Sequence, residues 1–276
     1  MLHRRPLLRI AALLALPMTW LVLLYLIPLV LLFITAFWTT DSFTGDVVRT
    51  FTFDNFLRVF DPSQPFLATA LKTIGVAAGV TLLSILLAVP LSLFMAKVAR
   101  PRWRPLLVAL VLTPLWASYL VKVYAWRAML NPESGFVESV FGTTTGYGWA
   151  AVVLVLTYLW LPYMILPVYV GMQNMPDSYL DASADLGAKS GRTFRSVMLP
   201  IVGPSIVAGS IFTFSLSLGD YITVQLVGGK AQMLGNVVYG SFSTDLPFAA
   251  AIATLTVVIM IGYLTAVRRT GALENL

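Results

Sequence analysis

Long apolar runs recur along this chain, and they constrain its fold more than any other feature. Only 11% of the 276 residues are charged, whereas a soluble domain averages about 25%. An apolar helix of about 20 residues crosses a hydrocarbon core about 30 Å thick. The runs therefore predict an all-α, polytopic membrane protein with six transmembrane helices. The predicted spans are about 12–37, 69–96, 105–126, 149–172, 201–224 and 246–267.

The first apolar run follows a basic segment and so has the outline of a signal peptide. It extends from about Ile10 to Phe37, and no small-residue cleavage site follows it. A signal peptide has an apolar stretch of only about 7–15 residues. The run is therefore interpreted as a retained first transmembrane helix, and residues 1–276 as a single membrane domain.

The distribution of basic residues predicts the orientation. With the N-terminus in the cytoplasm, twelve of the eighteen basic residues fall inside and six outside, as the positive-inside rule requires. Both termini are then cytoplasmic, and basic groups facing membrane lipid account for the net charge of +6 without nucleic acid. The inner group is Arg4, Arg5, Arg9, Lys97, Arg100, Arg102, Arg104, Lys189, Arg192, Arg195, Arg268 and Arg269, and the outer group is Arg49, Arg58, Lys72, Lys122, Arg127 and Lys230.

The inner loop before the fifth span, residues 173–200, is polar and unusually long for a connection between helices. Pro176 is expected to begin a helix, in which Asp177, Asp181 and Asp185 form an acidic stripe. Gly187 fits the left-handed position that ends such a helix. A less polar second face comprises Tyr179, Ala182, Ser183 and Leu186.

A second short helix is expected after the glycine. Ser190 is its candidate N-cap, and Phe194, Val197 and Met198 share one of its faces. Pro200 is expected to end this helix and to open the fifth span. The two helices around a glycine turn indicate an element that docks a partner, and the alternative is a loop that merely connects two spans.

Seven residues of this loop resemble the EAA loop of the permease subunits of bacterial ABC importers. That family pattern reads Glu-Ala-Ala, three residues, Gly, nine residues, Ile, one residue, Leu-Pro. The match has no gap, and Asp for Glu, Ser for Ala and Val for Ile are conservative departures. The matching residues are Asp181, Ala182, Ser183, Gly187, Val197, Leu199 and Pro200.

This resemblance implies a type I ABC importer permease fold in the bacterial cytoplasmic (inner) membrane. In that family the loop inserts into a groove of an ATPase subunit and carries its closure to the channel. The implied partners are an ATPase dimer, a second homologous permease and a periplasmic or lipid-anchored substrate-binding protein. ATP is then bound and hydrolysed on a separate subunit, so no cofactor is expected here, and the sequence contains no Gly-x4-Gly-Lys-Ser/Thr phosphate loop.

The outer end of the fifth span resembles spermidine/putrescine permeases. The residues that carry this resemblance are Ser217-Leu218-Gly219-Asp220-Tyr221, Gln225-Leu226-Val227-Gly228-Gly229 and Asp245-Leu246-Pro247-Phe248. A carboxylate within a span is costly and usually faces a cavity or a partner. Beside aromatic rings it suits a polycation. The candidate pathway residues are Asp220, Tyr221, Trp116, Tyr119, Tyr158, Trp160 and Tyr163.

Several alternatives remain open at this point. Asp220 can instead cap a helix or pair with Lys122 or Lys230, and the aromatic residues can instead form membrane-interface belts. Other ABC-import substrates, such as iron, thiosulfate or sugars, are the runners-up. An outer segment with Phe136, Val137, Val140 and Phe141 on one face is either an interfacial anchor or a docking helix.

Two further classes of protein are less compatible with the sequence. A membrane-embedded enzyme would need a Ser–Lys or carboxylate site, because the chain has no cysteine and its one histidine, His3, lies in the basic N-terminal segment. No metal site is expected for the same reason. Lys72, Lys97 and Lys122 lie near span ends, where snorkelling explains them. A scaffolding protein is the other class, and a stable complex with an ATPase would argue against it.

Overall fold

A computed structural model describes residues 6–41 and 43–268, with side chains described from residue 13 onward. His3, Arg4, Arg5 and Arg269, and the side chain of Arg9, lie outside this description. The helices are α1 (Pro6–Leu21), α2 (Ile27–Thr35), α3 (Asp54–Phe60), α4 (Phe66–Leu93), α5 (Arg104–Trp116), α6 (Tyr119–Met129), α7 (Phe136–Phe141), α8 (Trp149–Asn174), α9 (Ser178–Asp185), α10 (Ser190–Thr193), α11 (Leu199–Leu218), α12 (Ile222–Val227), α13 (Leu234–Ser241) and α14 (Leu246–Arg268). Two short antiparallel strands, β1 (Thr39–Thr40) and β2 (Val47–Val48), pair in the first outer loop.

Within the described residues, five helical segments are long and apolar enough to cross a membrane. They are Leu13–Thr35, Phe66–Val98, Trp149–Asn174, Ser190–Leu218 and Leu246–Arg268. A bent pair of helices, Pro101–Trp116 and Tyr119–Met129, makes a sixth if it is counted as one span. The all-α prediction is confirmed, and the first, second, fourth and sixth predicted spans differ from these segments by only a few residues.

The third predicted span, 105–126, is not one straight helix. Its two halves meet at 89°, because Ala117 and Ser118 take extended backbone with ψ of 140° and 136°. Pro114, in the last turn before the break, cannot donate a backbone hydrogen bond. The break places Tyr119 at the start of a new helix with its side chain free to turn toward α12.

The fifth span begins earlier and ends earlier than predicted. The helix continues from Ser190 to Leu218, so Pro200 does not end it. A π turn at Phe194–Met198, closed by Leu199 N–H on Phe194 O, directly precedes this proline. A π turn at Val22–Leu26 likewise precedes Pro28. The wider turn frees the carbonyl that a proline ring would otherwise strike, so both helices pass through their proline.

Close contacts group the described chain into two compact units. One comprises residues up to Phe66 together with Val237–Leu255, and the other comprises Leu67–Asn236 together with residues from Thr256 onward. In the first unit, Asp245 accepts hydrogen bonds from Phe248 N–H and Thr40 Oγ1 and pairs with Arg58 at 3.0 Å. These contacts fix the start of α14 to the first outer loop. That residues 1–276 form a single domain stays a prediction.

The second unit is organised around α8, which packs along α11. A Cβ atom on Gly209 of α11 would lie 2.7 Å from Met164 Sδ and 3.1 Å from Met164 Cα, and a Cβ on Gly171 of α8 would collide with Ser205. Small residues four apart in the sequence, as at Ser205 and Gly209 and at Gly75 and Gly79, predict close helix packing. The first pair does lie at such a contact, whereas Gly75 and Gly79 of α4 face open space within this chain.

Candidate functional site

The 173–200 loop folds as two helices around a left-handed glycine. Gly187 has φ of +73°, Gly187 N–H donates to Ala184 O at 2.8 Å, and Ala188 N–H donates to Ser183 O at 3.0 Å. This pair of bonds is the Schellman motif, which satisfies the last carbonyls of α9. The predicted glycine turn is thus present, with the expected backbone conformation.

A side-chain hydrogen bond holds the two helices of the loop together. Ser183 Oγ lies 2.8 Å from Thr193 Oγ1, and Ser183 is 7% exposed. The family pattern marks position 183, whereas Thr193 was missed because its partner lies ten residues earlier across the turn. The helix starts also differ slightly from prediction, since α9 begins at Ser178 and Lys189, not Ser190, is the N-cap of α10.

The turn presents apolar side chains at the surface beside the acidic stripe. Leu186 is 88% exposed and Tyr179 is 51% exposed, and Asp181 and Asp185 are exposed as well. Of the other pattern residues, Ala182, Leu199 and Pro200 are exposed and Val197 is partly buried. The loop thus exposes two large apolar side chains next to the acidic stripe.

A second candidate site lies where α11 ends. A cavity of about 340 Å³ opens there, within the range of small-molecule sites. Four predicted pathway residues, Tyr119, Trp160, Asp220 and Tyr221, line it, and sequence reasoning missed the other four. The missed residues are Ser215, Leu216, Gly219 and Ile222.

Asp220 is the charged group of this cavity, and all of its observed partners are neutral. Its Oδ1 accepts a hydrogen bond from Thr223 N–H at 2.9 Å, which caps α12. Its Oδ2 accepts from Tyr119 Oη at 2.6 Å and from Thr223 Oγ1 at 3.2 Å. Asp220 is 7% exposed. Among the described residues, no ion pair joins it to Lys122 or Lys230, so the expected alternative of helix capping is observed and that of local ion pairing is not.

Aromatic rings and backbone contacts fix the position of this carboxylate. The Tyr119 and Trp160 rings stack with centroids 6.0 Å apart. Asn236 Nδ2 donates to Tyr221 O at 3.0 Å, and the adjacent Gly235 lies so close to the loop that a Cβ there would be 3.2 Å from Asp220 O. The cavity therefore has a preorganised wall that carries a buried carboxylate.

The structure places two of the predicted pathway residues away from this cavity. Trp116, at the end of α5, is 90% exposed. Tyr158 packs edge-on against Trp126, with centroids 5.4 Å apart, beside a separate apolar cavity. Tyr163 does not line the cavity either, although its ring centroid lies 5.9 Å from that of Trp160. A pathway role for Trp116 and Tyr158 stays a prediction. No group of acidic or histidine side chains suited to a metal ion occurs among the described residues.

Comparisons with known proteins agree with this architecture. Residues 88–270 match the family described as binding-protein-dependent transport system inner membrane component. The chain is 37% identical to the inner membrane ABC transporter permease protein YdcU of Escherichia coli K12, over 94% of this chain and 89% of that protein. It is 32% identical to the spermidine/putrescine transport system permease protein PotB of the same strain, over 87% and 90% of the two chains.

A solved structure has the same fold. A chain of the bacterial alginate ABC transporter in complex with alginate pentasaccharide-bound periplasmic protein superimposes with a TM-score of 0.73, at 17% identity, over 98% of this chain and 96% of that chain. The resemblance to ABC importer permeases is therefore confirmed. The chain belongs to the binding-protein-dependent family of inner-membrane transport components, and it is a multi-pass permease subunit of an ABC importer, not an enzyme.

Proposed function

We propose that this permease subunit imports polyamines of the spermidine/putrescine class by alternating access. The observation that carries the proposal is the buried Asp220 carboxylate, which lies in a cavity with two stacked rings and has only neutral partners among the described residues. A buried carboxylate without a cation is costly, and a passing ammonium group would offset that cost. The 32% identity to PotB supports the same substrate class.

The charge of the cavity also bears on the alternatives. An acidic substrate, such as the alginate of the structurally similar transporter, would be repelled by Asp220 at close range. A neutral sugar would gain hydrogen bonds there but would leave the charge unpaired. The name of the relative YdcU gives no substrate, so the proposed substrate class rests on the cavity and on the similarity to PotB.

The 173–200 loop is proposed to dock on a separate ATPase subunit, and two such loops from a pair of permeases would meet an ATPase dimer. The exposed Leu186 and Tyr179 beside the acidic stripe support this assignment. Both termini would then be cytoplasmic, ATP would be bound only by the partner, and no cofactor would be held by this chain. A periplasmic or lipid-anchored binding protein would deliver the substrate to the outer loops.

The experiment is uptake and ATPase activity of the assembled complex in lipid, with spermidine, putrescine and a neutral sugar compared. Stimulation by a polyamine alone is expected. Stimulation by another ligand only would leave the permease assignment intact and contradict the substrate.

The role of the carboxylate is tested by Asp220→Asn, because asparagine keeps an oxygen that can cap a helix but replaces the charged oxygen that accepts from the Tyr119 and Thr223 hydroxyls by an uncharged NH2 group. Losing a charge-assisted contact of about 1.5–3 kcal/mol predicts a KM for spermidine raised about tenfold or more. Thr223→Val, which keeps the charge and the capping N–H and removes only the hydroxyl that donates to Asp220 Oδ2, is the matched control. Unchanged uptake by Asp220→Asn at all spermidine concentrations would refute the role.

A further inference from the structure

Lys97 occupies an unexpected position at the end of the second span. Its side chain was expected to snorkel toward the membrane surface, yet it is only 11% exposed. It belongs to the π turn Phe94–Val98 that continues α4. Met95 and Ala96 of this turn are buried whereas Phe94 and Val98 are exposed, so one face of the turn packs into the unit.

The ammonium group of Lys97 contacts two other elements at once. Nζ donates to Met175 O at 2.6 Å and to Asp177 Oδ1 at 2.6 Å. Met175 is the C-cap of α8 and is 2% exposed, and Asp177 is the N-cap of α9. We call this contact the Lys97 junction, comprising Lys97, Met175 and Asp177.

The electrostatics of helix ends explain why a cation is suited to this place. A helix carries partial negative charge at its C-terminus and partial positive charge at its N-terminus. Lys97 satisfies a terminal carbonyl of α8, and through Asp177 it reaches the positive start of α9. A neutral side chain of the same length cannot form both contacts.

We propose that Lys97 is a positioning residue for coupling, which transmits displacement of the 173–200 loop to the second and fourth spans. The junction connects the end of the second span to Met175 and Asp177, where the chain enters the 173–200 loop. Asp177 begins the same helix whose far end carries the glycine turn and the exposed Leu186. A push on that turn therefore reaches α4 and α8 through one ammonium group. The inference rests on the proposed ATPase docking of the loop.

Hydrogen exchange of the complex in lipid, with and without ATP and vanadate, tests the junction independently of any substrate. In the wild-type protein, nucleotide is expected to change deuterium uptake both in residues 176–190 and in residues 94–100. In Lys97→Met, the change in 176–190 should persist and the change in 94–100 should be lost. In Lys97→Arg, which keeps the charge, both changes should remain.

Transport stoichiometry gives a second readout. Coupling free energies of about 1–3 kcal/mol correspond to about 5–150-fold effects, so Lys97→Met should raise the ATP consumed per spermidine imported about fivefold or more. Lys72→Met, an exposed lysine on the same helix, is the control and should leave this ratio unchanged. A junction that served only folding would lower the yield of complex without altering the ratio.

The outcomes separate the inference from the function on which it rests. Normal nucleotide responses and normal stoichiometry in Lys97→Met would overturn the positioning role while leaving the docking proposal intact. Absence of any nucleotide response in the wild-type loop would overturn both. If Lys97→Met does not assemble, Asp177→Ala decides, because the Asp177 side chain is 77% exposed and alanine removes the Oδ1 acceptor of Lys97, which asparagine would keep. Uncoupling supports the role, and normal coupling overturns it.

Discussion

Replacement of Gly187 isolates the contribution of backbone conformation to coupling. The residue has φ of +73°, and a Cβ atom built on it would meet nothing within 4 Å. The cost of any substitution is therefore conformational and not steric. A left-handed conformation costs an ordinary residue about 1–2 kcal/mol, a β-branched residue more, and asparagine less. The loss of coupling should therefore be smallest for Gly187→Asn, larger for Gly187→Ala and largest for Gly187→Val.

A change of 1–2 kcal/mol shifts an equilibrium about 5–30-fold. The Schellman bonds at residues 187 and 188 orient α9 relative to α10, so this is the factor by which the correctly turned loop becomes less populated. Assembly with the ATPase is expected to persist in Gly187→Val. ATP hydrolysis should then continue while substrate import per ATP falls by at least this factor, because valine is β-branched.

The assay is ATPase activity and uptake measured on the same lipid preparation. Gly191→Ala is the matched control, because Gly191 lies in α10 with open space around it and without a left-handed φ. Alanine in a helix is favoured over glycine by about 1 kcal/mol, so this variant should couple normally. Normal coupling in Gly187→Val, or equal damage in Gly191→Ala and Gly187→Ala, would refute the conformational argument.

Two further predictions concern packing and pH. Gly209→Val should lower the thermal midpoint of the purified chain, because its Cβ would lie 3.1 Å from Met164 Cα and overpacking costs about 1–3 kcal/mol. Gly79→Val, where a Cβ meets nothing within 4 Å, should lower the midpoint less. Equal shifts in the two variants would contradict the packing argument. Lys97 holds the pKa of Asp177 below its usual 3.8, so the contact stabilises above the unfolded pKa and is lost as pH falls through the folded value. Amide protection at 176–180, corrected for intrinsic exchange, should stay constant from about pH 8 to about pH 5 and fall only below about pH 4, and a loss near neutral pH would contradict the assignment.

The sequence predicted best the features that depend on local chemistry. Span positions follow from apolar length, and the glycine turn at Gly187 follows from a conformation that few other residues adopt. The prediction that Pro200 ends a helix was wrong, because the helix passes through this proline after a π turn that no residue type marks. Pro114 predicts a kink in the third span, but the full bend of 89° after Trp116 was not predicted, because Ala117 and Ser118 carry no breaker signal of their own.

Features that depend on distant residues were predicted only in part. The spacing of Gly75 and Gly79 matches that of Ser205 and Gly209, but only the second pair lies at a close helix contact. Spacing shows that two residues share a face and does not show which face is packed. Asp220 was recognised from its cost in a membrane, whereas its bond to Tyr119, 101 residues away, depends on where two helices end.

The locations of the Asp220 cavity and the Lys97 junction have one physical origin. Within a bilayer, the middle of a helix has all its backbone groups paired, so polar chemistry is available mainly where helices end. Tyr119 begins α6 after the break in the third segment, and Asp220 caps α12 just beyond α11. Lys97 donates hydrogen bonds to the C-cap residue of α8 and to the N-cap residue of α9. The cavity and the Lys97 junction are thus both built from helix ends that an apolar chain must satisfy for stability. The same groups are available for the proposed binding of a cation at the cavity and for the proposed transmission of motion at the junction.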